Sequence, residues 1–201
     1  MGRKRLYVLC GCVLPLMICS GLVYSMFSLY MGDILGAPRT QIGLIYMVGS
    51  AVGLIFGPLL GRVSDRFGRK PVILGAMGAF AVIFVLYFRV QGYVPVYGIQ
   101  VLEGAAWVAI GASVTAYVAD VITEDKRGWA MGVYQQTISV GWMIGPAFGG
   151  FLSELIGFRQ IFLVGAILAA IGFVLVLLLV KEPRRQPAGA QPEAPPKELA
   201  K

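Results

Sequence analysis

"GRVSDRFGRK", residues 61–70, packs five charged side chains, Arg62, Asp65, Arg66, Arg69 and Lys70, into ten positions. Apolar stretches flank it at 41–61 and 71–90. Each is about as long as the ~20 residues a helix needs to cross a bilayer. The stretch therefore reads as a short charged connection between two membrane spans, and that reading decides the fold class.

Four further runs have the same character, at 6–31, 94–118, 129–153 and 158–180. They are too long for buried strands, and outer-membrane strands would alternate polar and apolar residues. The expectation is an all-α, polytopic membrane protein of six transmembrane helices. Their connections are short, so consecutive helices should be antiparallel neighbours. Composition agrees: 58% of residues are hydrophobic and 13% charged, against roughly 45–50% apolar in soluble domains. The basic start and first apolar run resemble a signal peptide. That run continues to about Tyr30, which favours a retained first helix.

The net charge of +7 does not point to nucleic acid, because the bases fall in short clusters between apolar runs. On one side lie Arg3, Lys4, Arg5, Arg62, Arg66, Arg69, Lys70, Lys126, Arg127, Lys181, Arg184, Arg185, Lys197 and Lys201. On the other lie only Arg39, Arg89 and Arg159. By the positive-inside rule the rich side is cytoplasmic, with both termini inside. Residues 184–201 are rich in Pro, Ala and charge and read as a disordered tail or linker. Six spans are compatible with a 3+3 inverted repeat, although no strong echo links 1–90 to 94–180.

The chain has no histidine, which excludes Ser-His-Asp triads and His metal sites. Cys10, Cys12 and Cys19 follow no zinc spacing and read as small packing groups. No nucleophile–base pair or metal set falls in the spans, so no enzyme, metal site or cofactor is expected.

Glycines repeat at Gly49, Gly53, Gly57 and Gly61 in the second span, and at Gly141, Gly145 and Gly149 in the fifth, with Gly150 beside them. Such stripes let helices approach closely, either as static packing or as a sliding contact. Pro146 lacks an amide donor and should bend the fifth helix.

Glu103 is the ionisable residue placed deep in a span. A charge there costs at least ~2.5 kcal/mol on insertion scales, so it must face a cavity, find a partner or be protonated. Gln100, Glu103, Trp107 and Gly111 share one helical face. That face reads as a substrate or proton cavity, or else as a hydrogen-bonded structural carboxyl. Gln135, Ser139 and Trp142 form a similar face on the fifth helix, lining the same cavity or binding neighbouring helices.

With these motifs in place, the chain resembles the N-terminal half of a major facilitator superfamily transporter. "GRVSDRFGRK" is similar to that family's loop between helices 2 and 3, G-x-x-x-D-R-x-G-R-K, with Gly61, Asp65, Arg66, Gly68, Arg69 and Lys70 matching. "GWMIGPAFGG" resembles the fifth-helix motif of the drug–proton antiporter branches, with Gly141, Gly145, Pro146, Gly149 and Gly150 matching. "ADVITEDKRGWAMG" resembles the loop between helices 4 and 5, through Asp120, Arg127, Gly128 and Gly132.

The resemblance implies proton-coupled efflux of drugs or lipophilic and cationic compounds, with the proton as coupling ion and the plasma membrane as location. It implies that Asp65 docks on a helix N-terminus of a second half, and that Arg69 bridges Asp65 to Asp120. Its partners would be the lipid bilayer, a small-molecule substrate and a second six-helix half, with no nucleic acid. Two features depart from the family. "QVLEG" puts Gln100 where relatives carry an Arg tied to proton coupling, and Glu103 where they carry Gln. The chain also has six spans rather than about twelve, so half of a dimer, a split half or a truncation all remain open. Alternative readings are a metabolite or sugar transporter, or a non-transporting membrane scaffold or nonfunctional fragment.

Overall fold

The computed structural model describes residues 2–183. The expected tail, 184–201, lies outside the described residues. Six long helices make up the fold: α1 (Gly2–Leu29), α2 (Arg39–Phe67), α3 (Arg69–Arg89), α4 (Val96–Val121), α5 (Arg127–Ile156) and α6 (Phe158–Leu179). A π-helical turn, Tyr30–Ile34, extends α1, and a 3-10 turn, Glu124–Lys126, leads into α5.

Apolar runs without helix breakers explain most of these elements, and glycine and proline explain where they stop. Gly36 takes a positive φ of 67° before Pro38 opens α2. Two links are a single glycine. Gly68 joins α2 to α3 at φ 107°, ψ 159°, and Gly157 joins α5 to α6 at φ 85°, ψ 161°. A side chain would be strained in that backbone region.

Helix ends overrun the apolar stretches. Asp65 and Arg66 lie on α2, and Arg69 and Lys70 open α3, so "GRVSDRFGRK" is helical except at Gly68. Charge ends a hydrophobic run without ending a helix, and this is why the expected loop is nearly absent.

Among the described residues, five helices are long and apolar enough to cross a membrane: α1 with its π turn, α2, α3, α4 and α6. α5 has 30 residues, ample length, but Gln135, Gln136, Thr137, Ser139 and its glycines dilute its hydropathy. It packs along α1.

The principal packed pairs are α1–α5, α2–α4, α3–α6, α1–α6 and α3–α4. Consecutive helices are therefore not the main neighbours, contrary to expectation, apart from α3–α4. The reason is where backbones can meet. At the α2–α4 crossing, a Cβ on Gly104 would strike the Gly49 backbone. At the α1–α5 crossing, a Cβ on Gly145 would lie 2.5 Å from the Leu22 nitrogen and 2.6 Å from the Gly21 carbonyl carbon. Small residues let van der Waals packing drive helix association in lipid.

Exchanging α1–α3 with α4–α6 maps this set of packed pairs onto itself. It also maps the Gly68 link onto the Gly157 link. The bundle thus has the symmetry of two three-helix units, which packing records and residue identity does not. The core runs through α1, α3 and α4, with Phe27, Tyr30, Phe80, Phe84, Tyr87 and Tyr117 all buried. Cys10, Cys12 and Cys19 are buried and free. α2 and α5 stand outermost, and Leu54, Ile55, Met143, Phe148 and Phe151 on them are exposed.

Candidate functional site

Two polar centres stand out, one at a helix-end junction and one inside the bundle.

At the junction, Arg69 begins α3 directly after Gly68. Its Nη1 donates to Asp65 Oδ1 at 2.5 Å, and its Nε donates to Asp120 Oδ2 at 3.0 Å. One guanidinium thus ties the end of α2 to the end of α4, a fork geometry that lysine cannot supply. Beneath it, Ser113 Oγ donates to Ser64 Oγ at 2.9 Å, both residues buried. Arg69 is 17% exposed and Asp65 67%. The pair is wet on the acid's side, and Asp65 keeps surface to offer.

A further acid completes the cluster. Glu182, just past α6, accepts from the Arg69 amide at 2.7 Å and the Lys70 amide at 2.8 Å. These amides lack intrahelical partners, and the helix dipole favours a carboxylate there. Lys70 Nζ returns to the Leu177 carbonyl at 2.8 Å. Glu182 was missed in the sequence. Its only signal was an acid two residues after the last apolar run. Arg127 does not join the cluster; it donates to Glu124 at 3.2 Å and to the Ala119 carbonyl at 3.4 Å, bracing its own loop.

The interior centre is built on Glu103, which is 2% exposed. Tyr24 on α1 donates its hydroxyl to Glu103 Oε1. Tyr87 on α3 donates to Oε2 at 2.6 Å, and Gln100 Nε2 donates to Oε2 at 2.9 Å. These donors are themselves held: Gln100 Nε2 reaches the Tyr87 hydroxyl at 3.0 Å, and Trp107 Nε1 donates to the Tyr24 hydroxyl at 2.8 Å. Three helices therefore aim neutral donors at one carboxyl. Among the described residues no ion pair reaches Glu103; the four found join Arg69 to Asp65, Arg69 to Asp120, Lys126 to Asp125 and Arg127 to Glu124.

Glu103 borders a cleft of about 340 Å³ lined also by Tyr24, Tyr46, Trp107, Trp142 and Gln100, with Gly49, Ser50, Gly53 and Gly104 on its walls. Tyr24 and Trp142 stack with centroids 6.0 Å apart. The glycines keep α2 and α4 close enough to form one wall. Of the residues expected at a cavity, Gln100, Glu103, Trp107 and Trp142 come together here. Gln135 and Ser139 do not; both are exposed on α5, and Ser139 Oγ bonds back to the Gln135 carbonyl at 3.0 Å. Tyr24, Tyr46 and Tyr87 were missed, because an aromatic in an apolar run looks like core until a partner on another helix is known.

The glycine motifs divide. Gly141, Gly145 and Gly149 press against α1 at Met17, Gly21 and Leu22, whereas Gly150 meets nothing within 4 Å. α5 runs unbroken as a helix through Pro146. On α2, Gly49 and Gly53 meet α4, but Gly61 meets nothing within 4 Å.

Comparison with known proteins adds to this geometry. The family model described as Major Facilitator Superfamily matches residues 9–201. Multidrug resistance protein 1 of Bacillus subtilis is 33% identical over 178 residues, covering 83% of this chain and 46% of that protein. The multi-drug resistance efflux pump PmrA of Streptococcus pneumoniae is 28% identical over 164 residues, 78% of this chain and 39% of the pump. The quinolone resistance protein NorA of Staphylococcus aureus is 23% identical over 199 residues, 99% of this chain and 51% of that protein. The chain spans about half the length, or less, of these relatives. Among solved structures, the human organic anion transporter MFSD10 superposes with a TM-score of 0.71 at 18% identity, covering 90% of this chain and 48% of that one. The POT family transporter PepTSo superposes with a TM-score of 0.73 at 17% identity, covering 87% and 37%. Both likenesses concern the fold.

Proposed function

The chain belongs to the Major Facilitator Superfamily, and from that premise we propose that it acts as the first half of a proton-coupled efflux carrier for lipophilic, cationic compounds. Alternating access needs two halves rocking about a site near the midplane, so a second six-helix half joins it. The single observation that carries the reading is Glu103, a buried carboxyl held by neutral donors on the wall of an aromatic cleft. A cation entering the cleft would meet the charge and the ring faces together. A proton on the same carboxyl would compete with it, and that competition is the minimal requirement of antiport.

Gln100 removes the positive charge that relatives often place in this helix, which leaves the carboxyl free for cations rather than paired. Asp65, Arg69 and Asp120 serve as the latch of the end we assign to the cytoplasm, together with both termini, in a plasma membrane. The exposed Asp65 would dock on a helix N-terminus of the second half, and the open side of Gly61 would admit that helix. No enzymatic step and no cofactor enters this scheme; the family is one of carriers.

The test is efflux of a lipophilic cation from vesicles carrying the chain together with its second half. Export should fall to background when the proton gradient is collapsed. Export indifferent to the gradient would overturn antiport.

A further inference from the structure

A second pocket lies at the end of the bundle where the start of α1, the end of α4 and the end of α6 meet. It measures about 310 Å³ and is lined by Lys4, Arg5, Val8, Tyr117, Leu179, Val180 and Lys181. Three of these side chains are bases, and none belongs to the ion pairs of the described residues. The neighbouring negative groups are already engaged. Glu182 is committed to the α3 amides. The carbonyl of Leu177 accepts from Lys70, that of Lys181 from Tyr117 at 2.9 Å, and that of Val176 from the Val180 amide at 3.2 Å. The pocket therefore gathers three bases that form no ion pair among the described residues, with Glu182 the one acid beside them and turned to the α3 amides, above an apolar floor of Val8, Leu179 and Val180.

Three bases around one concavity leave a net positive charge even with Glu182 beside them, and an anion in the pocket relieves their mutual repulsion. The geometry points to a binding site for the phosphate headgroup of an anionic phospholipid, with Lys4, Arg5 and Lys181 holding the phosphate. The apolar floor favours a lipid over free phosphate, because it offers contact to glycerol and the first acyl carbons. Helix ends also lie at headgroup depth in a chain that spans the bilayer. The bound lipid would fasten α1 to α6 beside the Glu182 cap. The inference rests on the membrane-spanning fold and is independent of what is transported.

The full chain is released from nanodiscs of equal phosphatidylglycerol and phosphatidylcholine, and retained lipid is weighed by native mass spectrometry. Phosphatidylglycerol should be retained over phosphatidylcholine. The combined variant Lys4→Gln, Arg5→Gln, Lys181→Gln should lower its retention by about tenfold or more, because each base near an anionic surface adds to the attraction. Arg39→Gln, Arg62→Gln, Lys126→Gln removes equal charge elsewhere and should leave retention unchanged. Val8→Trp keeps every charge but fills the floor, and should also release the lipid. Circular dichroism confirms that each variant is helical. Should the bases prove necessary for folding, Val8→Trp decides alone. Equal loss in both charge variants, or full retention in Val8→Trp, would overturn the site. Displacement of the lipid by millimolar inorganic phosphate would make it a free-anion site and overturn the lipid assignment.

Discussion

The helix-end cluster and the Glu103 cleft both use acids, yet in opposite ways. At the end, Asp65 and Asp120 share a guanidinium and Glu182 sits on a helix N-terminus, so every acid faces positive charge. In the cleft, Glu103 has only hydroxyls and an amide. The first arrangement is complete and exposed to water, where each pair contributes little to stability. The second is buried and has no ion pair among the described residues, an arrangement that is costly for a charged group in a bilayer-spanning chain. On the proposed function, the first region would open and close and the second would receive charge.

Substitutions can break or sharpen this contrast. The largest expected loss is for Glu103→Ala, which strands three buried donors; at about 1 kcal/mol or more for each, thermal unfolding in detergent should report a loss of about 3 kcal/mol. A loss near zero would mean the donors re-pair and the network is loose. Next comes Gly104→Ala, whose Cβ meets the Gly49 backbone. Overpacking at that crossing should cost about 2 kcal/mol, and a cysteine cross-link between α2 and α4 should form more slowly. Arg69→Ala should cost only about 1 kcal/mol of stability, because its acids are solvated, while transport by the assembled carrier falls far more. The smallest effect belongs to Gly61→Ala. With no atom within 4 Å, it should change the stability of this half by less than about 0.5 kcal/mol. A large loss there would place a contact on α2 that the packing of this half does not contain.

Much of this was legible in the chain. Hydropathy named the helices because a membrane span is a property of composition and length. The charged connection and Arg69's partners were readable through the family motif, with Asp65 one helical turn before Arg69. What the sequence hid was pairing between distant segments. Tyr24 and Tyr87 meet Glu103 across 79 and 16 residues, and nothing local distinguishes them from core aromatics. Glu182 reaches α3 across 113 residues. Gln135 and Ser139 do not line the Glu103 cleft, because helical spacing assigns a face without saying what that face touches. The two-unit symmetry escaped the sequence for a related reason. It lies in which glycines permit contact, Gly104 with Gly49 and Gly145 with Gly21, rather than in repeated residues.

The central claim is that Glu103 receives cationic ligands in an aromatic cleft. It is tested most directly by binding of tetraphenylphosphonium to the assembled carrier, followed by quenching of Trp107 and Trp142 fluorescence. Glu103→Gln, which keeps the size of the side chain but removes its charge and turns one acceptor oxygen into an NH2 donor, should weaken the Kd about tenfold or more, the scale of a lost charge-assisted contact of ~1.4 kcal/mol or greater. Asp65→Asn should leave it unchanged. Equal affinity in wild type and Glu103→Gln would contradict the account and leave Glu103 a structural carboxyl.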